Sequence, residues 1–106
     1  MIVPTPETVR DNGQLAKLAL KYGLPTIGGF SESAKGGILI GYGPNRRELG
    51  ELAASYVERI LKGERASELP FQGPTHLDFA INMRTAKALG LTFPPSVLVG
   101  AVEVIE

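Results

Sequence analysis

The stretch Ile38-Leu39-Ile40-Gly41-Tyr42-Gly43-Pro44, together with the stripe that follows it, decides the fold class of this 106-residue chain. Ile38, Leu39 and Ile40 are apolar on successive residues, as in a strand covered on both faces. Gly41-Tyr42-Gly43 reads as the turn that ends the strand, and Pro44 stands where a first helical position is favoured. Leu49, Leu52, Ala53, Tyr56, Val57, Ile60 and Leu61 then recur at a helical period until Gly63. The spacing predicts a helix from Pro44 to Lys62 that buries Leu49, Leu52, Tyr56, Val57 and Ile60 against a sheet.

On the N-terminal side, Leu15, Leu18, Ala19 and Tyr22 share one face of a helix from Asp11 to Tyr22, stopped by Gly23. Met1-Ile2-Val3 reads as the end of a buried strand, and Leu24 to Ile27, ended by Gly28-Gly29, as a brief strand leading to a loop at Phe30 to Ser33. On the C-terminal side, Glu64 to Thr75 is a polar connection. Leu77, Phe79 and Ile81 alternate with Asp78 and Ala80 as in a half-exposed strand. Asn82 suits the cap of a short helix over Arg84 to Leu89, closed by Gly90, and an apolar tail from Val97 to Ile105 ends the chain. This order is α/β, with a mostly parallel open sheet and helices on both faces.

Ligands of such sheets lie beyond the carboxyl ends of the strands. That rule selects three loops, Pro4 to Glu7, Phe30 to Ser33 and Gly41 to Gly43, and hence Thr5, Phe30, Ser31, Glu32, Ser33, Gly41 and Tyr42 as candidate ligand-binding residues. Glu32 either pairs with the ammonium of an amino-acid-like ligand or stands exposed in its loop. Phe30 and Tyr42 either stack on a flat ligand or line the core. Gly28-Gly29 and Gly36-Gly37 bracket a polar loop that can form a backbone nest for an anion.

Composition narrows the chemistry. Eleven Lys and Arg balance eleven Asp and Glu, so no basic face for nucleic acid or anionic lipid is implied. With no cysteine and His76 as the one histidine, thiolate sites, His-based metal sites and Cys–His catalysis are excluded. His76 lies in the Pro-containing connection, where a surface role is expected. No phosphate-binding glycine motif occurs, so neither a metal nor a cofactor is expected. The longest apolar stretches fall far short of the ~20 residues of a membrane span, and Met1-Ile2-Val3-Pro4 has no basic n-region of an export signal.

Gly41-Tyr42-Gly43-Pro44-Asn45, Tyr56 to Gly63, Glu68-Leu69-Pro70, Pro74-Thr75 and above all Ile81-Asn82-Met83-Arg84-Thr85-Ala86-Lys87-Ala88-Leu89-Gly90-Leu91-Thr92-Phe93-Pro94-Pro95-Ser96 follow one another in an order that resembles the C-terminal third of the ABC transporter substrate-binding protein family. That family includes tryptophan- and tyrosine-binding members. The terminal Ala101-Val102-Glu103-Val104-Ile105 resembles the family's usual ending, with Val102 in place of an acid.

The resemblance implies one lobe of a periplasmic-type clamp, in which a solute sits between two lobes and closure is read by a membrane permease. Residues 1–76 would supply the C-terminal lobe, and residues 77–106 a crossing strand and a tail packed on a first lobe. It further implies a periplasmic or extracellular, membrane-associated setting, a small polar or aromatic-amino-acid-like solute, and no catalysis. A tail without its first lobe leads to the expectation of a homodimer. The competing class is a regulatory or oligomerisation domain that keeps the fold without solute capture.

Overall fold

The computed structural model describes residues 1–106. Its sheet has four strands in the order β1 (Ile27–Gly28), β2 (Ile40–Pro44), β3 (Leu77–Asn82) and β4 (Glu103–Ile105). β1 and β2 run parallel, β2 and β3 antiparallel, and β3 and β4 parallel. The sheet is open and mostly parallel, as the strand and helix order predicts. Ile2 prolongs its β1 edge by a parallel bridge to Gly28. The helices are α1 (Pro6–Arg10), α2 (Asn12–Lys21), α3 (Arg46–Leu61), α4 (Met83–Ala88) and α5 (Pro95–Val99), and a 3₁₀ turn spans Ser31–Gly36.

Strand β2 begins two residues later than the apolar run suggests. Ile38 and Leu39 are buried at 0% and 3% exposure, yet they precede the strand, and the Leu39 N–H donates to the Thr26 hydroxyl at 3.0 Å. Gly41, Tyr42 and Gly43 are ladder residues opposite Ala80, Phe79 and Asp78, which corrects their reading as a turn. A side chain at Gly43 would meet the Gly29 carbonyl, and one at Gly41 the backbone of Phe30 and Ser31. The two glycines therefore let the chain after β1 lie directly on β2. The turn into α3 falls at Asn45, whose side chain accepts from the Glu48 N–H at 3.0 Å as a helix cap.

Asn82 ties the pieces of the core together. Its Oδ1 accepts from the Thr85 N–H at 3.1 Å, capping α4, and its Nδ2 donates to the Ala34 carbonyl at 2.7 Å. Its own N–H donates to Leu39 O at 2.9 Å. Ala34, Ile38, Ala80, Ile81 and Ala86 are fully buried around it. The alternation read along β3 ends there, because Ala80, Ile81 and Asn82 are all buried.

The expected burial of α3 is overturned: none of its residues is buried, and Leu49, Val57 and Ile60 are 37%, 55% and 45% exposed. The returning connection lies along α3 in place of the sheet. The Tyr56 hydroxyl donates to Pro70 O at 2.5 Å. The Glu48 carboxylate accepts from the N–H groups of Thr75 and His76 at 2.9 and 3.1 Å, and from the Thr75 hydroxyl. Helix α2 likewise buries Ala16 but leaves Leu18 and Tyr22 exposed, so its apolar stripe is only partly covered.

These partly covered stripes give an extended molecule, with a radius of gyration of 17.0 Å where a compact domain of this length has about 13 Å. The chain exposes 7300 Å², against about 5,700 Å² for a compact monomer of its mass. The C-terminal tail, by contrast, closes on its own sheet: β4 pairs with β3 and the Val102 N–H donates to Phe79 O at 2.7 Å. The homodimer expected from an uncovered tail loses its premise.

Candidate functional site

The Ile2 bridge, β1 and β2 are mutually parallel, so their carboxyl ends open on one side of the sheet. There the chain turns into α1, the 3₁₀ turn and α3. A groove of about 350 Å³ lies between these three turns. Val9 and Arg10 of α1 line it, with Asn12 and Gly13 at the start of α2, Phe30, Glu32, Ser33 and Gly36 around the 3₁₀ turn, and Arg46 at the start of α3.

Close packing holds the walls together. Gly41 and Gly43 bring the Gly29 to Ser31 backbone onto β2, and this places the Arg46 guanidinium 5.3 Å from the centre of the Phe30 ring. The Asn12 amide donates to the Ser33 hydroxyl at 3.3 Å, fixing α2 to the 3₁₀ turn. Gly37, with φ +106°, ends that turn against the Ala16 side chain.

The charges of the groove divide into a satisfied pair and two single groups. Arg10 donates through Nε and Nη2 to the two carboxylate oxygens of Asp11, at 3.0 and 3.1 Å. That pairing raises the pKa of Arg10 and lowers that of Asp11. Glu32 accepts only a long hydrogen bond of 3.5 Å from the Ser31 hydroxyl. Neither Glu32 nor Arg46 takes part in any ion pair. The groove thus presents one unneutralised anion and one unneutralised cation.

Of the residues singled out from sequence, Phe30, Glu32 and Ser33 line the groove. Ser31 belongs to the same turn and contacts Glu32. Thr5 lies apart, with its hydroxyl accepting from the Thr8 N–H at 3.2 Å in a capping box. Gly41 is a buried packing contact. Tyr42 points from the strand toward Phe79, edge to face with centroids 6.4 Å apart, and does not reach the groove lining. Sequence reasoning missed Arg10, Asn12 and Arg46. The signal for Arg46 was present, since it stands in the first turn beyond a strand end, but the strand had been ended too early.

Besides an apolar hollow of about 410 Å³ where the α2 stripe meets Met1, Ile2 and Leu24 to Thr26, two other concavities are poorer candidates. One of about 560 Å³, between α3 and the segment near Phe71, has no charged side chain in its lining and lies away from the strand ends. The other, around Glu48 and His76, is polar but internally satisfied. Arg47 pairs with Glu51 at 3.2 Å, Asn45 Nδ2 donates to Asp78 at 2.8 Å, and His76 Nδ1 lies 3.5 Å from Glu48. No helix is long and apolar enough to cross a membrane.

Comparison with known proteins adds an independent line. The sequence model of the family described as ABC transporter substrate binding protein matches residues 1–105. No curated protein matches the chain. Among solved structures, a conserved domain protein from Vibrio cholerae superposes with a TM-score of 0.88 at 24% identity, over 96% of this chain and 34% of the other. An ABC domain from Streptococcus pneumonia in complex with L-Trp gives 0.80 at 22% identity, over 92% of this chain and 34% of the other. A ligand-free, open substrate binding protein with adhesive properties from Clostridium difficile gives 0.64 at 24%, over 97% and 34%. At these identities the likeness is one of fold, and the chain spans about a third of each of those chains.

Proposed function

The chain belongs to the ABC transporter substrate binding protein family, and from that premise we propose that it forms one wall of a solute-binding cleft in an importer's capture protein. The observation that carries this reading is the groove at the carboxyl ends of the parallel strands, with its unneutralised Glu32 and Arg46. A small solute with polar or charged ends, including one of amino-acid type with a flat side chain, matches that lining. The family supports capture of that solute in the groove and not its conversion.

In this reading residues 1–76 build the cleft wall, and residues 77–106 close the sheet and carry the surface toward a second lobe. The excess of exposed surface and the partly covered stripes of α2 and α3 support further polypeptide as their cover. A permease would read the closed clamp at a membrane surface, in a periplasmic or extracellular setting. One wall desolvates only part of a ligand, so affinity in this 106-residue chain is expected in the millimolar range. The test is saturation-transfer NMR of the folded chain against a panel of amino acids and related polar solutes. Transfer to at least one solute is expected. Silence across the panel would overturn the reading in favour of a regulatory or oligomerisation domain.

A further inference from the structure

Resting on that reading of the groove, we infer that Arg46, held against Phe30, is the specificity-determining cation of the site and selects solutes that carry a carboxylate. Three observations lead to it. Of the two arginines in the lining, Arg10 is already bound by both oxygens of Asp11, so its charge is spent within the protein. Arg46 has no carboxylate partner, and its guanidinium stands 5.3 Å from the Phe30 centroid. A planar guanidinium lying near an aromatic ring keeps its edge N–H donors available, in the fork geometry that matches a carboxylate.

The surroundings reinforce the choice of an anion. Arg46 is the first residue of α3, and Asn12 and Gly13 open α2, so two helix N-termini border the same groove, each favouring negative charge. Glu32, on the 3₁₀ turn, supplies the opposite charge. It sets a second requirement, a cationic end on the solute, that does not depend on Arg46. The glycines Gly41 and Gly43 contribute indirectly: by admitting the Gly29 to Ser31 backbone onto β2, they bring the Phe30 ring under Arg46.

The test is a ¹⁵N-detected titration of the chain with L-tryptophan, tryptamine, which lacks the carboxylate, and indole-3-propionate, which lacks the ammonium. It is run on the wild-type chain and on Arg46→Met, Arg46→Lys and Glu32→Gln. Arg46 and Glu32 are exposed, so an unchanged amide spectrum serves as the folding control for each variant. In the wild type, tryptophan and indole-3-propionate are expected to shift amides of Gly29 to Glu32 and Asn45 to Arg47. Arg46→Met weakens both about tenfold, the loss of one charge-assisted interaction, and leaves tryptamine unchanged. Arg46→Lys keeps the charge but not the fork and falls between. Glu32→Gln weakens tryptamine and tryptophan alone. Tryptophan binding that survives Arg46→Met within twofold, at a groove that still responds, would overturn the role of Arg46 and leave the groove standing. Absence of groove shifts with all three probes would overturn both.

Discussion

Replacing Asn82 by alanine tests the packing that positions the groove. The side chain is 5% exposed and makes two directed bonds, accepting from the Thr85 N–H at 3.1 Å and donating to Ala34 O at 2.7 Å. Loss of the helix cap costs about 1 kcal/mol. The buried Ala34 carbonyl keeps the Gly37 N–H at 3.1 Å as a donor, so loss of the Asn82 bond costs a further 0.5–1.5 kcal/mol, roughly. The expected destabilisation of Asn82→Ala is therefore about 1.5–2.5 kcal/mol, or roughly 6–20 °C in melting temperature for a domain of this size. Asn82→Ser keeps a capping oxygen and is expected to recover about 1 kcal/mol of that. Urea denaturation followed by circular dichroism measures both. A loss below about 0.5 kcal/mol for Asn82→Ala, within the range of ordinary surface substitutions, would refute the linkage between α4, β3 and the 3₁₀ turn.

Two glycines are expected to respond with opposite sign. Gly50 lies inside α3 with nothing within 4 Å of an added Cβ, so Gly50→Ala should stabilise by about 0.5–1 kcal/mol in the same denaturation assay. Gly43→Ala should destabilise by at least about 2 kcal/mol, because its Cβ meets the Gly29 backbone, which has no side-chain freedom with which to yield. Leu52→Ala should cost only about 1 kcal/mol, since Leu52 is half-buried and a fully buried leucine would cost about 2–5 kcal/mol; a calorimetric melting shift reads the difference. Glu48 has its carboxyl pKa lowered to about 2 from 4.5, chiefly by the Thr75 hydroxyl and the Thr75 N–H, with the His76 N–H contributing less. Because the folded value lies below the unfolded one, the clasp's contribution is complete above about pH 4.5 and is lost as pH falls toward 2. The stability difference between wild type and Glu48→Gln should accordingly shrink over that window in acid titrations monitored by circular dichroism.

Helix limits were the most legible part of the sequence. Gly23, Gly63 and Gly90 all carry positive φ, at 66°, 106° and 70°, as their reading as helix stops requires, and Asn82 caps α4 as expected. What covers each helix was not legible. A periodic stripe such as Leu49, Leu52, Tyr56, Val57 and Ile60 says which residues share a face, and that face turned out to meet the returning connection and solvent. The β2 register was misjudged because burial was taken as the mark of a strand. Ile38 and Leu39 are buried outside the ladder, while Gly41 and Gly43 enter it through a close backbone crossing that only the assembled fold reveals. The groove was half legible. Phe30, Glu32 and Ser33 follow from the strand-end rule, but Arg46 needed the corrected end of β2, and Tyr42 was lost when that strand extended through it.

The most direct test of the binding-groove account is amide hydrogen exchange of the chain with and without L-tryptophan at tens of millimolar, a concentration chosen to populate a weak one-walled site. Slowed exchange is expected at Gly29 to Ser33 and Asn45 to Glu48, with the connection from Glu64 to Thr75 unchanged. Protection confined instead to the apolar cavity around Tyr56 and Phe71, or no protection anywhere in a chain that is otherwise folded, would contradict a solute site at the carboxyl ends of the parallel strands.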